Sequence, residues 1–189
     1  MAGAAVLAVR AALASGAGLL RVCSAPENRE IIQSAVPEAV YVDPGDPEAL
    51  QAAMEQCDAV GLGPGLGTET FGRQLAAAVA AGPPRPLVVD ADGLNLASLS
   101  DLDLASLAAT RPVLGTPHPG EMARLLDTDS ATIQADRIAA LDRVVEANGH
   151  AVLLKGSPSL VTAPGAEVHV DSQGSSDLAV AGMGDALTG

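Results

Sequence analysis

The chain has 189 residues, with 10 Lys and Arg against 23 Asp and Glu, a formal net charge of -13. Its length suits one domain with a sizeable core, and its charge leaves no basic face to neutralise a nucleic-acid backbone or an anionic membrane. Tyr41 and Phe71 are the only aromatic residues, which removes the stacking platforms used for single-stranded nucleic acid, and no run reaches the roughly 18 uncharged apolar residues of a membrane span. An anionic ligand would have to be held by local devices, such as helix N-termini and one or two placed lysines.

Residues 1–20 are rich in Ala and Leu, yet Arg10 interrupts them and no basic segment precedes them, so they read as a helix rather than a secretory leader. The helix spans about 3–16 and closes at Gly16. It starts with neither a cap nor a preceding strand, which predicts a chain whose true start lies upstream. A short buried strand follows at 19–23, then a helix over 27–35 and a strand over 40–42. Asp46-Pro47-Glu48 places a cap, a first-position proline and a first-turn acid at the head of the next helix. Cys23 and Cys57 each lie in an apolar stretch, which predicts buried reduced thiols and a cytoplasmic protein.

Further strands are expected at 59–62, 86–90, 113–116 and 151–155. Helices are expected from 68 to about 80, from 117 to about 126 and over 130–148, the last with apolar residues at 133, 138, 141, 144 and 145 and a stop at Gly149. Segments 159–162 and 167–170 read as a hairpin around Pro164-Gly165. Apolar strands alternating with helices predict an α/β fold, a mostly parallel sheet with helices on both faces and an antiparallel edge near the C-terminus.

In such a sheet, ligands bind beyond the carboxyl ends of the strands, and each unusual motif here leaves a strand. Gly63-Pro64-Gly65-Leu66-Gly67 offers bare backbone ahead of a helix, or serves as a plain strand-to-helix turn. Asp90, Asp92 and Asn95 read equally as caps and turn formers or as polar residues of a site, and stay outside the catalytic set. His118, between Pro117 and Pro119 at a helix start, caps that helix or hydrogen-bonds a ligand. Lys155, followed by Gly156, would bring its ammonium to the rim, with Ser157 and Ser159 adding hydroxyls. The closing Gly182-Met183-Gly184-Asp185-Ala186-Leu187-Thr188-Gly189 reads as a turn with positive φ at Gly182 and Gly184, then a first helical turn at Ala186 and Leu187. Asp185 there could accept a proton from a substrate hydroxyl beside a bound phosphate, or be a helix cap.

Together, G-L-G-P-G-L-G-T at 61–68, V-V-D-A-D-G-L-N at 88–95, T-P-H-P-G-E at 116–121, L-L-K-G at 153–156 and G-M-G-D-A-L-T-G at 182–189 resemble the ADP/ATP-dependent NAD(P)H-hydrate dehydratases, relatives of the ribokinase-like kinases. The opening segment 3–19 is also similar to that family's first helix and turn. The resemblance implies a ribokinase-like three-layer sandwich and a lyase of metabolite repair. It would use ADP or ATP, with Mg2+, to phosphorylate the C6 hydroxyl of the S epimer of hydrated NAD(P)H and then eliminate phosphate. It implies Asp185 as the catalytic aspartate. Ala4, Gly67, His118 and Asp185 would contact the hydrate, and Lys155, Gly156, Ser157, Pro158, Ser159 and Gly184 the nucleotide. A homo-oligomer working alongside an NAD(P)H-hydrate epimerase is also implied, with residues 1–189 as one such domain lacking both ends. Ser175-Ser176-Asp177 stands where the family pattern has an Asn-Pro or similar pair. A ribokinase-like kinase of a vitamin-precursor alcohol, or an inactive nucleotide-binding module, would carry much the same motifs.

Overall fold

The computed structural model describes residues 1–189. Helix α1 (Ala2–Ala14) runs without a side-chain cap and turns Ala4, Val6 and Val9 inward. Strands β1 (Arg21–Cys23) and β2 (Val40–Val42) pair in parallel, Val22 opposite Tyr41, with helix α2 (Arg29–Ala35) between them in sequence. Val6, Val9, Val22, Ile32 and Val36 close a small core of their own. These strands form a separate sheet instead of extending the larger one. Helix α3 (Pro47–Glu55) begins as expected, the Asp46 carboxylate accepting from the N–H groups of Glu48 and Ala49.

The larger sheet has six strands in sequence order: β3 (Val60–Leu62), β4 (Leu87–Val89), β5 (Val113–Gly115), β6 (Ala151–Leu154), β7 (Ser159–Thr162) and β8 (His169–Asp171). The first four are parallel, and β7 and β8 are the expected antiparallel hairpin, Leu160 opposite Val170. Successive parallel neighbours joined by right-handed crossovers carry their helices on one face. Those helices are α4 (Thr70–Ala81), α5 (Ala91–Ser98), α6 (Leu104–Ala108), α7 (Pro119–Leu125), α8 (Ser130–Ala135) and α9 (Arg137–Asn148). Beneath them Leu62, Leu87, Val89, Val113, Val152 and Leu154 are buried, while the alternate residues Val88, Leu114 and Leu153 are only half-buried. Helix α10 (Met183–Thr188), packed along α1, serves the second face: a Cβ on Gly61 would lie 3.6 Å from Thr188 Cγ2.

Three details depart from the sequence pattern. The helix expected over 130–148 is two, because Asp136 leaves helical geometry at φ -146 and ψ 86 and uses its carboxylate to cap α9 through the Ala139 N–H. Ile138, counted in the apolar face, is consequently half exposed. Asp92 and Asn95, for which turns are one reading, lie within α5, which buries Leu94 and Leu96. Cys23 and Cys57 are unpaired as expected, but half-buried rather than buried. No helix is long and apolar enough to cross a membrane.

Candidate active site

The loops leaving β3, β4, β5 and β6 meet at one rim, as parallel strands in sequence order require. Gly63 has φ +132, and a Cβ on it would lie 1.7 Å from the Asp90 carbonyl oxygen, so only glycine lets the β3 loop rest on the β4 loop. Asp92 Oδ2 accepts from the Gly67 N–H at 2.7 Å and fastens the two loops again, while Asn95 donates to Asp92 at 3.2 Å and accepts from Arg124 at 3.1 Å.

Asp90, 1% exposed, is the centre of the polar cluster. It occupies the N-cap position of α5 but makes no cap bond with its side chain. Its Oδ1 accepts from Lys155 Nζ at 2.6 Å and its Oδ2 from Thr188 Oγ1 at 2.9 Å, tying the end of β4 to the end of β6 and to α10. Lys155 Nζ also lies 3.6 Å from Glu121 Oε2. The lysine reaches the rim as expected, yet it is already ion-paired there and only 19% exposed in its side chain. An ammonium has three donors, so one remains for a ligand beyond these two carboxylates.

His118 does cap α7. Its Nδ1 accepts from the N–H groups of Gly120 and Glu121 at 2.9 and 3.2 Å, and Glu121 Oε2 accepts in return from the His118 N–H at 2.8 Å. With Nδ1 an acceptor, the ring proton sits on Nε2, 3.3 Å from Glu121 Oε1, and the half-exposed ring remains open to the rim.

Asp185 lies in the first turn of α10 behind Gly182, whose φ of +87 no other residue adopts without strain. Gly184 has no positive φ, and the helix begins at Met183, three residues before the expected Ala186. Partial burial, then the Asp90 charge, pushes the Asp185 carboxyl above its ordinary value; Lys155 and the Met1 ammonium pull it back, and Asp92 adds to the rise. A carboxylate with raised proton affinity on a polar rim is suited to take a proton from a hydroxyl.

Segment 155–159 is shaped by Arg137, whose Nη1 donates to the Pro158 carbonyl at 2.8 Å and whose Nη2 donates to the Leu154 and Lys155 carbonyls at 3.3 Å. Ser157 and Pro158 are exposed, and Ser159 Oγ donates to the Gly156 carbonyl at 3.1 Å. Ser175, in the departing segment, accepts from the Asp177 N–H and caps a short 3-10 turn at Ser176–Leu178.

The model of the NAD(P)H-hydrate dehydratase family matches residues 1–189. The chain belongs to that family. It is 38% identical over 194 residues to the ADP-dependent (S)-NAD(P)H-hydrate dehydratase of Neisseria meningitidis, an alignment covering 100% of this chain and 63% of that protein. Among solved structures, a ribokinase-like superfamily protein from Enterococcus faecalis superposes with a TM-score of 0.86 at 27% identity, covering 98% of this chain and 64% of its own. The ADP/ATP-dependent NAD(P)H-hydrate dehydratase of Bacillus subtilis, co-crystallized with ATP/Mg2+, superposes with a TM-score of 0.79 at 27% identity, covering 100% and 65%. The fold is ribokinase-like. The chain spans 35% to 63% of the length of curated relatives it matches.

Within this dehydratase-family chain, Asp185, Gly184 and Lys155 gather at one point: a Cβ on Gly184 would lie 3.4 Å from Lys155 Nζ. His118 joins them through Glu121, while Gly67 is bonded to Asp92, whose charge acts on Asp185. Ala4 is buried in α1, the helix along which α10 packs. No three His, Cys, Asp or Glu side chains group closely enough to hold a metal ion, and Asp90 and Glu121 are occupied by Lys155 and the His118 N–H. That donor set fits a Mg2+ ion carried mainly by nucleotide phosphates.

Asp90, Glu121, Thr188 and Arg137 were not among the expected site residues. Glu121 had a signal, since His-Pro-Gly-Glu is a cap with an acid at N3. Asp90 had none that separates it from an ordinary cap, and Arg137 and Thr188 act over distances that sequence spacing does not show.

Proposed function

We propose that residues 1–189 form the nucleotide-dependent dehydratase domain that returns the S epimer of hydrated NADH or NADPH to the reduced coenzyme, with ADP or ATP as phosphoryl donor and Mg2+ bound with it. The observation that carries this reading is the start of α10, which bears Asp185, set against the Lys155–Asp90 pair on the rim of a family member. Asp185 takes the proton of the C6 hydroxyl as its oxygen attacks the terminal phosphorus, and the P–O bond to the leaving nucleotide breaks, releasing AMP from ADP or ADP from ATP. Phosphate then leaves C6 and the neighbouring ring carbon loses a proton, which restores the double bond. Mg2+ would neutralise charge on the phosphates.

On this reading Lys155 gives its remaining N–H to a phosphate oxygen, and Gly156, Ser157, Pro158, Ser159 and Gly184 line the nucleotide. Ala4, Gly67, His118 and Asp185 line the hydrate. An epimerase converting the other epimer would feed the reaction. A cytoplasmic location fits Cys23 and Cys57 as unpaired thiols. The family resemblance also implies a homo-oligomer.

A kinase of a vitamin-precursor alcohol would keep its phosphoester, and family membership speaks against it. An inactive module would bind nucleotide and show no turnover with any of these substrates. Incubating the full-length protein with ADP or ATP and either NADPH hydrate or a thiazole alcohol tests the reading. NADPH absorbance should appear with the hydrate; a stable phosphoester of the alcohol and no NADPH would overturn it.

A further inference from the structure

Helix α10 packs along α1 and starts at Gly182 without a side-chain cap. Its polar tie to the sheet is Thr188, whose hydroxyl donates to Asp90 Oδ2 at 2.9 Å. Thr188 lies three residues beyond Asp185, on the same side of the helix, so what holds Thr188 also sets the direction of Asp185. Beside it, a Cβ on Gly184 would lie 3.4 Å from Lys155 Nζ and 3.8 Å from Asp90 Oδ2, which puts the helix start directly against the Lys155–Asp90 pair. A carboxylate 1% exposed is costly to bury unless both oxygens are satisfied, and here the two oxygens serve two different elements.

We infer that Asp90 is a positioning residue. By holding Lys155 through one oxygen and Thr188 through the other, it fixes α10, and with it Asp185, against the end of β6. The inference rests on Asp185 being the proton acceptor.

The two partners of the pair act on Asp185 with opposite sign. The charged groups around Asp185 are Asp90 and Asp92, which raise its proton affinity, and Lys155 and the Met1 ammonium, which lower it. Removing the Asp90 charge should let Asp185 stay ionised to lower pH, and removing the Lys155 charge should require higher pH. A purely structural role would move neither limb, or both alike.

The experiment measures the pH dependence of kcat for the full-length protein and its Asp90→Asn and Lys155→Met variants, with melting curves as the folding control. Asp90→Asn should move the acidic limb to lower pH and lower kcat by about 10-fold or more, the scale of a misplaced catalytic group. Lys155→Met should move the limb to higher pH. Thr188→Val, which leaves the charges in place, should leave the limb unmoved, lower kcat and speed hydrogen exchange at the Ala186 and Leu187 amides. An unmoved limb in a folded Asp90→Asn protein overturns the inference, as does a raised Mg2+ requirement in its place, which would put Asp90 on the cation. If Asp90→Asn does not fold, exchange in Thr188→Val decides: unchanged rates in α10 overturn it. Failure of Asp185 as proton acceptor would show separately, as turnover retained by Asp185→Asn with the exchange result intact.

Discussion

At the rim of the six-stranded sheet, side-chain hydrogen bonds join residues 25, 65 and 98 positions apart, Asp92 to Gly67, Lys155 to Asp90 and Thr188 to Asp90. In the β1–β2 sheet the cations lie on the surface: Arg21 donates to Gln56 at 2.7 Å, and Arg29 sits 5.2 Å over the Tyr41 ring. Both regions use cations against neutral or negative partners. They differ in where the charge sits. A buried carboxylate cannot fall back on water when its partner is removed, whereas an exposed arginine can. The small sheet is therefore held by Val22, Ile32 and Val36, and the rim by its ion pair.

Lys155→Ala should show the largest loss. Leaving Asp90 buried with Thr188 alone should cost about 3 kcal/mol of stability, read from denaturant midpoints. Where the variant stays folded, nucleotide affinity should fall by about 1.5 to 3 kcal/mol with hydrate affinity nearly kept. Unchanged nucleotide affinity by titration calorimetry would remove Lys155 from the phosphates. His118→Ala should lose a cap worth about 1 kcal/mol and raise the apparent constant for the hydrate more than that for the nucleotide. Equal losses for both ligands would make the histidine a cap and nothing more.

Much of this contrast was legible in the sequence, because each rim loop carries glycine, proline or a motif whose backbone demands are local. The β1–β2 split was not, since strand propensity says nothing about neighbours. Nor was the break at Asp136, where an apolar period of helical type runs through a residue that caps in place of continuing. Asp90 looked like any residue before a helix; its significance comes from Lys155 and Thr188, which the fold brings to it.

Smaller effects should follow from single groups. Burial lowers the proton affinity of His150, whose Nδ1 meets the Ala151 carbonyl oxygen at 2.8 Å and whose Nε2 has no partner. A histidine kept neutral contributes stability that is fully present above its ordinary value near 6.5 and is lost as pH falls through the lowered one. The fall in Tm between neutral and mildly acid pH should shrink in His150→Leu; an unaltered fall would mean that other groups set the acid sensitivity. Burial, with the nearby Asp43, pushes the Cys23 thiol up to about 11, so it should resist alkylation at neutral pH until the protein unfolds. Arg21→Ala, at the surface of the small sheet, should change stability by no more than about 0.5 kcal/mol; a loss like that of Lys155→Ala would erase the contrast between the two regions.

The central claim is that Asp185 is the proton acceptor, and Asp185→Asn in the full-length protein tests it most directly. The substitution keeps size and hydrogen bonding and removes the charge. Because the folded state raises the Asp185 proton affinity, the ionised carboxylate works against folding at neutral pH, so the variant should melt at the same or a higher temperature. The account predicts retained nucleotide binding with turnover reduced by a factor of about 10² to 10⁴; near-normal turnover in a folded variant would contradict it and leave Asp185 as a first-turn acid of a short helix.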